Sequence, residues 1–216
     1  GNSYSYFSKQ LIFAVLGLIA MMFISKIDYR FYQKFYKHAW WISLLLLALV
    51  LIAGRTINGA KRWIYVTETL SIQPSELVKI LMRIFYAGVL VKNRDELGRF
   101  GKGFLKHVCM LIPIIGLLLL EPHFSASIVI IGICSIMMII AGCKFWHFLV
   151  VGGSVGIPGA IALIVLEPYR LQRVTTFLDP WKDATDEGWQ VIQSLYAIGS
   201  GGLFGVGLGE SKQKYL

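Results

Sequence analysis

The chain has 216 residues, 56% of them hydrophobic and only 15% charged, with a mean hydropathy of +0.65. Soluble domains carry about 45–50% apolar and about 25% charged residues, so this composition excludes an ordinary soluble protein. The formal net charge of +9 does not point to nucleic acid. Its cations gather at the ends of apolar blocks, as topology determinants do, and form no single basic stripe.

Six apolar blocks follow one another: Gln10–Ser25, Ala39–Gly54, Ser75–Val91, Leu105–Leu120, Phe124–Gly142 and His147–Leu166. A spanning helix needs about 20 mostly apolar residues, with a range near 17–25, and most blocks reach or approach that. In lipid the backbone must satisfy its own hydrogen bonds, so these blocks are expected to be helices. The period-2 alternation of a membrane barrel is absent. The expected fold is an all-α polytopic membrane protein, single-domain overall. Residues 1–166 would form a bundle of six transmembrane helices, and 167–216 a large extracellular loop. Without an initiator Met, a signal-peptide pattern or a closing element at Leu216, both ends read as cut.

Orientation follows from the short connections. One side carries Lys26, Arg30, Lys34, Lys37, Lys92, Arg94, Arg99, Lys102, Lys106 and Lys144; the other carries Lys9, Arg55, Lys61 and Arg62. Ten against four assigns the first side to the cytoplasm. Gly1, the Arg55–Gln73 loop and the C-terminal stretch then face outward, which implies at least one crossing upstream of Gly1. Cys109, Cys134 and Cys143 lie in or beside apolar runs without ligand-like spacing. They read as buried thiols and not as a disulfide framework or a zinc site.

The third block opens SIQPSELVKILMR, with Pro74 at a first helical position and Glu76 in the first turn, a helix-start signature. Glu76, Lys79 and Arg83 share one face. Charges at membrane depth are costly and normally face a bundle interior or a watery cavity. A structural ion pair from Glu76 to Lys79 or Arg83 accounts for them as well as a functional role does.

In GWQVIQSLYAIGS, Val191, Leu195 and Ile198 recur at helical spacing after Trp189, which predicts a helix lying in the interface. The following GSGGLFGVGLG fits no G-x-G-x-x-G register, because Glu210 stands where a glycine is needed, so a tight turn is expected. Outward cations are Arg55, Lys61, Arg62, Arg170 and Arg173. Outward carboxylates are Glu121, Glu167, Asp179, Asp183, Asp186 and Glu187. Arginines suit a phosphate through bidentate donors. A carboxylate serves as general base or holds a divalent cation such as Mg or Mn. Against that, Asp183, Asp186 and Glu187 suit a solvated loop, and Asp179 before Pro180 and Trp181 suits a turn. His123 is the one outward histidine, and alone it is weak evidence. Chemistry by itself leaves a lipid-phosphate enzyme, a transporter or a scaffold.

The motifs GAKRWI (Gly59–Ile64), IQPSELVK (Ile72–Lys79) and YRLQRVTTFLDPW…GWQVIQSLYAIGSGGLFGVGLGESKQKYL resemble the FtsW/RodA/SpoVE (SEDS) family. They run in the right order over essentially the whole chain. The wording LDPW and QS-x-YAIG-x-GGLFG-x-GLG is most similar to its division and sporulation members. The resemblance implies about ten helices, with the first and the last three lying outside this stretch. It also implies a peptidoglycan glycosyltransferase that polymerises lipid II at the outer face of the cytoplasmic membrane, beside a class B penicillin-binding protein and other division proteins. No cofactor is certain. Carried over by motif, Arg62, Trp63, Gln73, Ser75, Glu76, Lys79, Gln172, Arg173 and Asp179 would line the outer substrate cavity. Arg62 and Arg173 would grip the pyrophosphate, and Glu76 with Lys79 would organise the cavity. The family's T-D-F aspartate, its proposed general base, is expected after Leu216, which would leave this stretch alone catalytically incomplete. The usual Q-P-D-L-G-T reads EPHFSA here (Glu121–Ala126), with acid for amide and His123 for the aspartate. A lipid II flippase and a non-catalytic division scaffold are the alternative readings.

Overall fold

A computed structural model describes residues 3–57, 60–65, 71–166, 168–185 and 188–207. Every apolar block is helical. Helices α1 (Ser3–Ser25) and α2 (Tyr29–Ala53) lead to three short strands, β1 (Arg55–Ile57), β2 (Ala60–Tyr65) and β3 (Ser71–Ile72). Helix α3 (Pro74–Lys92) follows, then α4 (Lys106–Leu120), entered through a π-helical turn at Phe100–Leu105, and α5 (Phe124–Ala141). The sixth block is α6 (Phe145–Val151), a π-helical stretch at Gly152–Gly156 and α7 (Ile157–Val165); α8 (Pro168–Leu178) and α9 (Trp189–Gly201) complete the described elements. Five stretches are long and apolar enough to cross a membrane: Phe7–Ser25, Tyr29–Ala53, Phe100–Leu120, Phe124–Ala141 and Phe145–Val165. The remaining block, α3, falls outside that set because Glu76, Lys79 and Arg83 interrupt its 19 residues.

The chain divides into two compact units, Gly1–Phe148 and Leu149–Leu216. The division falls inside the sixth block, not at its end. In the first unit α3 is central, packed against α2 and α5, while α4 packs on α2 and α5. One stripe from each helix makes the core: Leu47 and Val50, Val78 and Met82, Ile114 and Leu118, Ile130 and Cys134, all buried. Spacings of three and four residues put each set on one helix face. In lipid, close packing and interhelical hydrogen bonds hold such a bundle, not water exclusion. Gly88 supplies the closest approach, since a Cβ there would lie 2.4 Å from Tyr36 Cγ on α2. The buried Tyr86 hydroxyl donates to the His107 carbonyl at 2.8 Å, tying α3 to α4. Cys134 and Cys143 are buried free thiols as expected, whereas Cys109 is exposed on the helix surface.

The Arg55–Gln73 connection, expected as a loop, is instead a three-stranded antiparallel sheet of order β1-β2-β3. Its aromatic and β-branched residues, Thr56, Ile57, Trp63, Ile64 and Tyr65, favour that pleated surface. Arg55 pairs with Trp63 but Thr56 pairs with Lys61, so β2 carries one residue more than β1 across that step. Arg62 is the extra residue. Such bulges bend a strand and re-aim its side chains. Lys61 Nζ reaches the Leu51 carbonyl at 3.4 Å, against the C-terminal end of α2.

In the second unit, α9 begins at Trp189 as the apolar spacing predicts. It packs through buried Ile192 and an edge-on Trp181–Tyr196 contact with centroids 6.0 Å apart. Helix α8 occupies part of the stretch expected as loop. Pro168 opens it, and Leu171, Val174 and Leu178 recur at helical spacing. After α9 the chain turns through Gly202, Gly205 and Gly207 with φ of 56°, 76° and 102°, the left-handed region glycine tolerates. That matches the tight turn expected there as far as residue 207.

Candidate functional site

At one end of the first unit, residues far apart in sequence meet. Gln73 is the N-cap of α3 and Pro74 its first residue, so the extended chain of β3 delivers Gln73 and Ser75 to the helix start. Across from them, Glu121 ends α4 and His123 caps α5, its Nδ1 accepting the Ala126 N–H at 3.3 Å. The His123 carbonyl accepts from the Ser127 N–H and hydroxyl, both at 3.3 Å. Arg62, re-aimed by the bulge, donates from its guanidinium to the Pro122 carbonyl. Gln73 Nε2 lies against His123 Nε2. Because Nδ1 already accepts a hydrogen bond, neutral His123 carries its own hydrogen on Nε2, and the Gln73 amide meets it best by turning its oxygen inward. Glu76 Oε2 and Lys79 Nζ form an ion pair of 2.7 Å one turn further along α3.

The electrostatics of this corner are unusual. Glu121 is 1% exposed, and its Oε1 is buried without a hydrogen-bond partner, as are Arg62 Nε and Ser75 Oγ. Burial pushes the Glu121 carboxyl up to about 7, against the pull of the Arg62 cation. His123 moves the opposite way. Burial lowers it first and the Arg62 charge second. Both shifts favour neutral forms. The corner thus presents a guanidinium, a direct, partly exposed ion pair and two buried groups held near neutral. That arrangement can grip an anion with Arg62 and Lys79, and Glu121 can accept or return a proton close to neutral pH.

Of the predicted site residues, Arg62, Gln73, Ser75, Glu76 and Lys79 come together here. The ion pair selects Lys79 as the partner of Glu76; Arg83 lies exposed, lining a groove with Tyr29 and Tyr32. Trp63 is half-buried and faces Arg55 across the β1–β2 ladder. Arg55 itself lies 5.2 Å from the centre of the Tyr65 ring. The rest belong to the second unit. Gln172 is exposed on α8, and its carbonyl accepts from Thr175 Oγ1 at 2.8 Å. Arg173 lies on α8, with its side chain outside the description. Asp179 terminates α8, its N–H bonded to the Thr175 carbonyl at 3.0 Å and its carboxylate 3.6 Å from Lys182 Nζ. Both contacts suit a turn, one of the two roles left open for it. Glu167, Asp186, Glu187 and Glu210 lie outside the described residues. Among the described residues no cluster of three or more His, Cys, Asp or Glu is placed to hold a metal ion. Sequence reasoning undervalued Glu121 and His123. The available signal was a Pro-containing EPH corner between two apolar blocks, where a short connection forces polar side chains back onto the helix ends.

Comparison with known proteins agrees with this architecture. The family model FtsW/RodA/SpoVE, described as "Cell cycle protein", matches residues 1–216. The chain is 38% identical over 216 residues to "Stage V sporulation protein E" of Bacillus subtilis, covering 99% of this chain and 58% of that one. It is 39% identical over 216 residues to "Probable peptidoglycan glycosyltransferase FtsW" of Aliivibrio salmonicida, covering 99% and 53%. A solved structure titled "Structural coordination of polymerization and crosslinking by a peptidoglycan synthase complex" superposes with a TM-score of 0.71 at 32% identity, covering 91% of this chain and 57% of that one. The chain thus spans little more than half the length of the curated relatives it matches.

Proposed function

The chain belongs to the FtsW/RodA/SpoVE family, and from that premise we propose that the complete protein is a peptidoglycan glycosyltransferase that polymerises lipid II. The chain is a polytopic helical protein of the bacterial cytoplasmic membrane. Its outer face is the catalytic one in this reading. The observation that carries it is the meeting of Arg62, Gln73, Glu76 and Lys79 with the Glu121–His123 corner at one end of a lipid-embedded bundle. In the reaction the 4-hydroxyl of one disaccharide attacks the anomeric carbon of another, its proton passes to the general-base aspartate that the family resemblance places after Leu216, and the undecaprenyl pyrophosphate departs with the bonding pair. Charge develops on that pyrophosphate. Arg62 grips it, because a guanidinium offers paired donors to phosphate oxygens, and Arg173 of the second unit is assigned the same role by its motif alone. The Glu76–Lys79 pair holds the cavity floor, with Lys79 adding a further cation. Trp63, Ser75, Gln172 and Asp179 complete the proposed substrate-binding set, and a class B penicillin-binding protein is the proposed partner, supplying crosslinking. The relatives named FtsW and the peptidoglycan synthase complex support this reading.

The test is the complete gene product, purified and reconstituted with lipid II and a cognate penicillin-binding protein. Glycan polymer is expected. Translocation of lipid II between leaflets without polymer would replace the transferase reading with the transporter one. Neither activity, in a protein still needed for division, would favour the scaffold.

A further inference from the structure

The opposite end of the first unit carries a cavity that the transferase reading does not use. A groove of about 340 Å³ lies between α2, α3 and α4. One end is lined by Lys37 from α2, Lys92 at the end of α3 and Lys106 at the start of α4; the other is apolar, lined by Trp40, Trp41 and Met110. We propose that this groove is a binding site for an anionic glycerophospholipid of the cytoplasmic leaflet, its phosphate held by Lys37, Lys92 and Lys106 and its first chain methylenes lying along Trp40 and Trp41.

Three observations carry the assignment. First, the three lysines are not neutralised by ion pairs, although the Glu96 charge is felt at His107 beside Lys106. Among the described residues no carboxylate pairs with any of the three lysines, and Lys106 Nζ donates to the neutral Asn93 amide oxygen at 3.4 Å. Asn93 is itself fixed, its amide donating to the Val89 carbonyl at 2.9 Å. Second, the apolar floor is built. Trp40 Nε1 donates to the Met110 carbonyl of α4 at 3.0 Å, and its ring packs edge-on against Trp41 with centroids 4.8 Å apart. Tryptophans at this level are the usual interfacial anchors. Third, the charge continues outside the groove. A neighbouring groove of about 540 Å³ shares Lys37 and Lys92 and adds Lys34. A site with three or four lysines at one end and two indoles at the other complements an anionic head joined to an acyl chain. Basic pockets between helices on the cytoplasmic side recognise anionic headgroups in this way.

The test is native mass spectrometry of the complete gene product in mild detergent. Dioleoylphosphatidylglycerol and dioleoylphosphatidylcholine are supplied in equal amounts. The expected result is a preference for the anionic lipid of about tenfold or more. That preference is lost in K37Q/K92Q/K106Q and kept in K37R/K92R/K106R. A control variant, K26Q/R30Q/K102Q, removes the same charge from the same side outside the groove and should keep it. Each Gln variant leaves seven of the ten cytoplasmic cations, so orientation is preserved. Equal retention of the two lipids by the unmutated protein overturns the proposal. So does equal loss of preference in both Gln variants, which would reduce the effect to overall charge.

Discussion

Glu121 is a carboxyl group with one oxygen, Oε1, that meets no donor, and it stays 1% exposed. Its folded pKa, raised to about 7 by burial, lies above the ordinary 4.5. The folded state therefore binds the proton more tightly than the unfolded state, and this group's stabilisation is lost as pH rises through about 7. His123 works in the other sense. Burial and the Arg62 charge lower it, so it withdraws stability as pH falls below its ordinary 6.5. Between pH 6.5 and 8 the Glu121 effect dominates. Thermal unfolding of the protein should show a net loss of about half a kcal/mol across that range, and Glu121→Gln should abolish it. An unchanged slope in the variant would mean that Glu121 is ionised throughout.

The same residue scale explains what sequence reading reached and missed. Glu76, Lys79 and Arg83 share one helix face, so an ion pair from Glu76 was legible from spacing, but which cation takes it was not. Glu121 and His123 stand about 60 and 50 residues from Arg62 and Gln73. Only the packing of α3 against α5 brings them together, and no local pattern announces such a contact.

At the scale of elements, lipid makes helices readable, because an apolar run in a membrane has one way to satisfy its backbone. Each of the six blocks became helical on that ground. The sheet over Arg55–Ile72 escaped notice because its strands have only three, six and two residues. Strands that short show too little alternation to be distinguished from a loop, and the bulge at Arg62 exists only as a mismatch of register. The close approach of α2 and α3 gives a sharper expectation. Gly88→Ala should destabilise by about 1–3 kcal/mol, because the new methyl meets the Tyr36 ring. Gly132→Ala, a helical position with nothing within 4 Å, should be neutral or mildly stabilising. Thermal melts in detergent separate the two. Equal effects would show that α2 and α3 are not packed through Gly88.

For the whole molecule, the charge asymmetry sorts the Arg62 corner and the lysine groove to opposite ends of the first unit. The Arg62 corner is proposed to face outward and the lysine groove inward. A cysteine at position 61, replacing exposed Lys61, should react with a membrane-impermeant maleimide in intact cells. A cysteine replacing exposed Lys102 should react only after permeabilisation. The reverse pattern would invert the orientation and move the proposed transferase site to the cytoplasm.

The most direct test of the central claim is lipid II polymerisation by the complete gene product carrying Arg62→Ala, beside Arg55→Ala. Both arginines lie on the same small sheet, but Arg62 alone reaches the Pro122 corner, while Arg55 lies over Tyr65. Losing a donor that stabilises developing charge costs roughly 10²-fold in turnover. Arg62→Ala should show a loss of that order at unchanged membrane abundance, with Arg55→Ala close to the unmutated protein. Equal activity in the two variants would contradict the assignment of Arg62 to the departing pyrophosphate.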